Sequence, residues 1–224
     1  MLSVILKRLL VTRMTSLPKV VVFDLDGCVW DPEMYELWGS GGAPFKVRKD
    51  GNLADRSGTV VRLLGDVKNI MTEFKTDAKW SDTIIAVASS CDEPGWAREC
   101  IQKFQLGECS FQKIPSRNEL QITTAVTGNN MTLKDVFDEN NIEIYKRSKG
   151  NHLRAIAQQT RVDLKDMIFF DNQYGNCQDV AKVGVTSVYT PQGVTRKAFD
   201  DGLASFPSPG QIIGPKRQDY ASWK

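Results

Sequence analysis

The stretch Val20 to Trp30, VVVFDLDGCVW, decides how the rest of the chain is read. Val20-Val21-Val22-Phe23 is an unbroken β-branched and aromatic run, the pattern of a strand covered on both faces in a parallel sheet. It leads directly into Asp24 and Asp26, one residue apart. Ionised carboxylates at the mouth of a buried strand are costly unless something pairs with them, and the natural partner is a cation.

Outward from that stretch the chain alternates. GSGGAP, Gly39 to Pro44, is followed by a segment with Asp50-Gly51 and Ser57-Gly58, both hairpin signals, so 31–62 is read as a small β-hairpin cap. Val67, Ile70, Met71 and Phe74 have helical spacing. Ile84 to Ala88 is a second buried strand ending in Ser89-Ser90, and Pro94 to Phe104 is a helix with proline at its first turn. The stretch 112–141 has Pro115, Gly128, Asn129 and Asn130 and no firm period, and is read as an insert. Gly150 to Thr160 is a helix, Met167 to Phe170 a third buried strand ending at Asp171, Val180 to Val183 is helical in pattern, and Val185 to Tyr189 is a fourth strand. This β-α alternation predicts an α/β fold, a Rossmann-like doubly wound parallel sheet over 19–202. Residues 203–224, with Pro207, Pro209, Gly210 and Pro215, are expected to be a loose tail.

Composition narrows the chemistry. A net charge of +2 on 224 residues, with no Lys/Arg cluster among aromatics, argues against nucleic acid. Five cysteines without a Cys-x-x-Cys pair indicate neither a disulfide framework nor a zinc site. His152 is the single histidine, so any Ser/His or Cys/His catalysis must use it; it is read as a surface or capping residue. Residues 1–18 form a separate basic tail, with Leu2, Ile5, Leu6, Leu9 and Leu10 on one potential helix face, similar to a short organellar transit peptide. The expected compartment is cytoplasmic, or organellar if that segment targets the chain. No apolar run approaches the roughly 18 residues of a spanning helix.

Three predicted strands end in polar groups: Asp24 and Asp26, Ser89 and Asp171. In an open parallel sheet the carboxyl ends of the strands face one crevice where ligands bind, and Lys149, just before a helix, can join them there. Carboxylates, a hydroxyl and a lysine describe a magnesium-assisted phosphoryl site. Asp24 is the candidate nucleophile, attacking phosphorus to form an aspartyl-phosphate, and Asp26 the general acid and base. Asp24, Asp171 and a backbone carbonyl near Asp26 are the candidate Mg²⁺ ligands. Ser89 and its neighbour Ser90 are candidate phosphoryl contacts, and Lys149 offsets charge.

In order and spacing, VVVFDLDGCVW, AVASS (Ala86 to Ser90), Lys149 and IFFDN (Ile168 to Asn172) resemble the four motifs of haloacid dehalogenase-like phosphatases. The chain is most similar to their magnesium-dependent, acid phosphatase-like branch, through Asp24 to Trp30, Pro44-Phe45, Asp50-Gly51, Ser148-Lys149 and Phe169 to Asp171. The resemblance implies Mg²⁺ dependence, phosphomonoester hydrolysis and a small cap, and it associates the chain with protein phosphotyrosine and phosphorylated sugars. Three positions depart from the pattern: Cys28 replaces a usual threonine, Asn172 a usual acid, and Ser90 an arginine. A dehalogenase of this fold does not need Asp26. A phospho-accepting receiver domain and a catalytically weak phosphate-binding protein are the rival readings.

Overall fold

In the computed structural model, which describes residues 16–39, 41–107 and 131–216, Val20–Phe23 forms strand β1 with all its side chains buried. There follow β2 (Trp30–Asp31), β3 (Lys46–Val47), β4 (Leu53–Ala54), β5 (Val60–Leu63), helix α1 (Val67–Thr76), β6 (Ile84–Ser89), α2 (Pro94–Lys103) and β7 (Gln105–Gly107). Beyond residue 130 come β8 (Met131–Thr132), β9 (Ile142–Ile144), α3 (Lys149–Thr160), β10 (Met167–Asp171), α4 (Tyr174–Ala181), β11 (Thr186–Tyr189), α5 (Arg196–Ser205) and β12 (Ile212–Ile213).

Strands β12, β11, β10, β1, β6 and β9 lie in that order in a six-stranded sheet, each neighbouring pair parallel. Parallel neighbours need crossover connections, and helices supply most of them. Successive side chains of a strand point to opposite faces, so Val21 and Phe23 enter a core with residues of α1, α2 and α5, while Val20 and Val22 meet residues of α3 and α4. The first core is aromatic: Phe23 stacks on Phe170 at 5.1 Å, and Phe170 on Phe199 at 5.5 Å. This double coverage explains why β1 reads as a continuous apolar run rather than an alternating one.

Between β1 and α1 the chain forms a small antiparallel sheet in the order β2-β5-β4-β3. Its distal turn is held by Asp55, whose buried carboxylate accepts hydrogen bonds from the amides of Gly42, Ser57 and Thr59 at 3.0, 2.9 and 2.8 Å. The sheet docks where Gly42, at φ +66°, presses against Trp96 of α2; a Cβ there would lie 2.1 Å from the indole ring.

Two expectations are corrected. Residues 203–224 are not all tail: α5 continues to Ser205, and β12 adds an edge strand with Ser187 opposite Ile212 and Val188 opposite Ile213. Pro207, Pro209 and Gly210, which suggested looseness, lie in the reversal between them, where Gly210 N–H donates to Val185 O at 3.2 Å and Phe206 is buried. His152 is fully buried, its Nε2 3.0 Å from Tyr145 O, because it lies one turn after buried Lys149 on the inward face of α3.

The expected N-terminal segment falls outside the described residues through position 15, as do 108–130 of the region containing the expected insert. The described part, 131–141, brings β8 against β7 and buries Leu133, Val136 and Phe137 in the core, spaced as one helical turn. Among the described residues no helix is long and apolar enough to cross a membrane.

Candidate active site

Because β1 is central, the residue that follows it emerges between the ends of β6 and β10. Asp24 N–H donates to Phe170 O at 2.9 Å, extending the β1–β10 ladder by one step and bringing Asp24 beside Asp171. Lys149, the first residue of α3, completes the group. Its Nζ forms a buried ion pair and hydrogen bond with Asp24 Oδ1, donates to Ala88 O at 2.7 Å and lies 3.5 Å from Asp171 Oδ2. A cation at a helix N-terminus opposes the helix dipole, so the two carboxylates and the β6 carbonyl are what hold it there. Burial alone would lower the Lys149 pKa, but the charges on Asp24 and Asp171 outweigh it and the net shift is upward.

Asp171 is fully buried, and its carboxylate accepts from Gln173 N–H at 2.7 Å and Asn176 Nδ2 at 3.0 Å. Both donors come from the start of α4 and its lead-in, which fixes the carboxylate's orientation. Burial first, and then the charge on Asp24, push its pKa upward. Two acids and one lysine packed this closely leave a site short of positive charge.

The oxygen-rich surroundings suit a hard divalent cation. Among the described residues no three His, Cys, Asp or Glu side chains form a metal cluster. A cation held by Asp24 and Asp171 would complete its shell with backbone or amide oxygens and with water, as magnesium held by few carboxylates does. One such oxygen is present: Asn172 Oδ1 is buried and has no hydrogen-bond partner. Gly27, at φ +71°, makes room for this amide, since a Cβ there would stand 2.3 Å from Asn172 Nδ2. The donor set thus fits the group.

Asp26 lies beyond the lysine's contacts. Its Oδ1 accepts from Trp30 Nε1 at 2.7 Å, and the Cys91 thiol and the Met34 amide also donate to its carboxylate. Its pKa is pushed up to about 6, mainly by burial, with the charge on Asp24 adding to it against those hydrogen bonds. Asp26 therefore carries a proton more readily than an ordinary aspartate, which suits an acid. Glu33, at the start of the cap's 3-10 turn Met34–Leu37, is a carboxylate that sequence reading missed; burial, then Asp26 and Asp24, raise it to about 7.

Ser89 is buried at the end of β6. Ser90 does not join the Asp24–Lys149–Asp171 group: its hydroxyl donates to Arg147 O at 2.8 Å, tying the two loops that flank the crevice. Cys28 is buried below the site, with Sγ 3.5 Å from Phe170 O and 3.6 Å from Thr190 Oγ1. Trp30 and Phe45 are buried, whereas Trp38 is 56% exposed and joins the cap to the post-β6 loop through Glu93 Oε1 at 2.9 Å.

A family model described as acid phosphatase matches residues 16–208. A human protein named magnesium-dependent phosphatase 1 is 28% identical over 195 residues, covering 86% of this chain and 89% of that protein. A Schizosaccharomyces pombe protein of the HAD-like hydrolase superfamily is also 28% identical, over 173 residues, covering 75% of this chain and 83% of its own length. Among solved structures, a haloacid dehalogenase-like hydrolase from Streptococcus pneumoniae aligns over 84% of this chain and 92% of its own, with a TM-score of 0.45 and 12% identity.

Proposed function

The chain belongs to the acid phosphatase family within the haloacid dehalogenase-like superfamily, and from that premise we propose that it is a magnesium-dependent phosphomonoesterase working through an aspartyl-phosphate on Asp24. The observation that carries this reading is the buried Lys149 bridging toward Asp24 and Asp171 at the carboxyl end of the parallel sheet, with a second, proton-retaining acid, Asp26, beside them.

Asp24, Asp171 and the carbonyl of Asp26 would hold Mg²⁺, with Asn172 Oδ1 available to it. When bound, the ion supplies positive charge that lets an anionic phosphate approach an anionic nucleophile. Lys149 pairs with Asp24 and aims its carboxylate. Asp24 attacks phosphorus in line, and Asp26 gives its proton to the departing oxygen. In the second half, Asp26 takes a proton from the water that hydrolyses the aspartyl-phosphate. Ser89 is the candidate phosphoryl contact from β6.

For the substrate we favour protein phosphotyrosine or phosphorylated sugars. The cap is a small sheet rather than a domain, and Tyr35 and Trp38 stand exposed on it, 43% and 56% accessible, their rings 6.2 Å apart. A site covered this lightly suits bulky leaving groups.

The test is turnover of an aryl phosphate with and without Mg²⁺. Activity should require the metal and fall by about 10⁴-fold or more in Asp24→Asn. A wild type that binds phosphate but never turns over would instead indicate a phosphate-binding interaction protein. Phosphotyrosyl peptides and sugar phosphates compared with the generic ester test the substrate class; neither exceeding it would overturn that choice.

A further inference from the structure

Asp26 is held more elaborately than a solvent-facing acid needs to be. Trp30, four residues on, is fully buried and stacks on Phe104 at 5.8 Å with 22° between the planes. Its backbone closes the intervening loop, with Trp30 N–H donating to Leu25 O at 3.2 Å and Gly27 N–H to Trp30 O at 2.8 Å. The indole has no freedom to choose another partner, and its N–H meets Asp26 Oδ1 at 2.7 Å.

We propose that Trp30 is the positioning residue of Asp26: its indole N–H fixes the rotation of the carboxylate and so the direction in which the other oxygen faces. An indole is a donor only. The oxygen facing it must accept, so Oδ1 stays turned to the ring and Oδ2 away from it. With the ring locked between strand and core, that oxygen keeps one direction. This deepens the phosphatase reading and rests on it. As the bond from Asp24 to phosphorus forms, the bond from phosphorus to the leaving oxygen breaks, and a proton passes from Asp26 to that oxygen. The competing account is that Asp26 merely satisfies a buried tryptophan.

The two accounts differ in how losses depend on the leaving group. A phenolate with electron-withdrawing substituents departs without help, whereas an alkoxide needs a proton. Trp30→Phe keeps the ring and removes the donor. In magnesium-containing buffer, its kcat/KM, which covers the steps through transfer to Asp24, should fall about tenfold or more on glycerol phosphate but less than about threefold on p-nitrophenyl phosphate. Benzothienylalanine at position 30, nearly isosteric with tryptophan and lacking the N–H, should reproduce the split if the phenylalanine variant does not fold.

Equal losses on the two esters in the position-30 variants would overturn the proposal while leaving the phosphatase reading intact. A wild type that hydrolyses neither ester overturns both.

Discussion

Glu33 is held at a pKa of about 7, well above its ordinary 4.5, by burial and then by the charges on Asp26 and Asp24. The folded state therefore binds this proton more tightly than the unfolded chain does. Stability contributed by the neutral form is present below about 4.5 and is lost as pH rises through about 7. Glu33→Gln removes that loss, so melting curves should find the variant equal to wild type at low pH and progressively more stable toward neutrality. A pH-independent difference would contradict the account. Lys149→Met has the opposite character, because it strands two buried carboxylates; in metal-free buffer it should cost about 3–5 kcal/mol in urea unfolding. Asp24, Asp26 and Asp171 were legible because an apolar run ending in a carboxylate is chemically anomalous, and Lys149 from its place just before a helix. Glu33 was not, since it sits in a polar turn whose proximity to the crevice depends on how the cap folds. His152 could have been read inward from its spacing to Lys149 on α3.

At the level of elements, β1, β6 and β10 were readable because burial on both faces leaves no polar alternation. The cap was readable from its turn residues, but its attachment to the core was not. That attachment depends on close approach: Gly42 at positive φ lies against Trp96, and Asp55 ties the Gly42 amide to the opposite limb of the turn. Gly42→Ala adds a side chain where neither backbone nor ring admits one. It should cost about 1–3 kcal/mol and raise KM more than it lowers kcat, since the cap moves while Asp24 and Lys149 stay. An unchanged KM would separate cap docking from substrate binding. The described part of the expected insert, 131–141, was obscured by the polar residues interleaved through one short buried turn.

Across the whole molecule, the sheet ends one strand later than composition suggested. A stretch rich in proline and glycine reads as loose when only local propensity is considered, yet β12 pairs with β11 and covers an edge that would otherwise be bare. Truncation after Gly210 deletes that strand and should lower stability by about 1–3 kcal/mol, with increased aggregation on heating. Light scattering alongside the melt checks both, and a truncated chain that melts like wild type would return the segment to the status of a tail.

The central position of β1 also bears on how the protein is made. Asp24 leaves the ribosome before its lysine partner, which lies 125 residues downstream. At ribosomal speeds of about 5–20 residues per second, the first carboxylate waits roughly 6–25 s before Lys149 exists, and longer before Asp171 does. Throughout that interval the nascent chain carries a strand whose terminal carboxylate has neither its lysine partner nor its β10 neighbour. Premature termination anywhere before residue 171 therefore yields fragments that lack part of the Asp24–Lys149–Asp171 group, so a complete group reports that translation has passed Asp171.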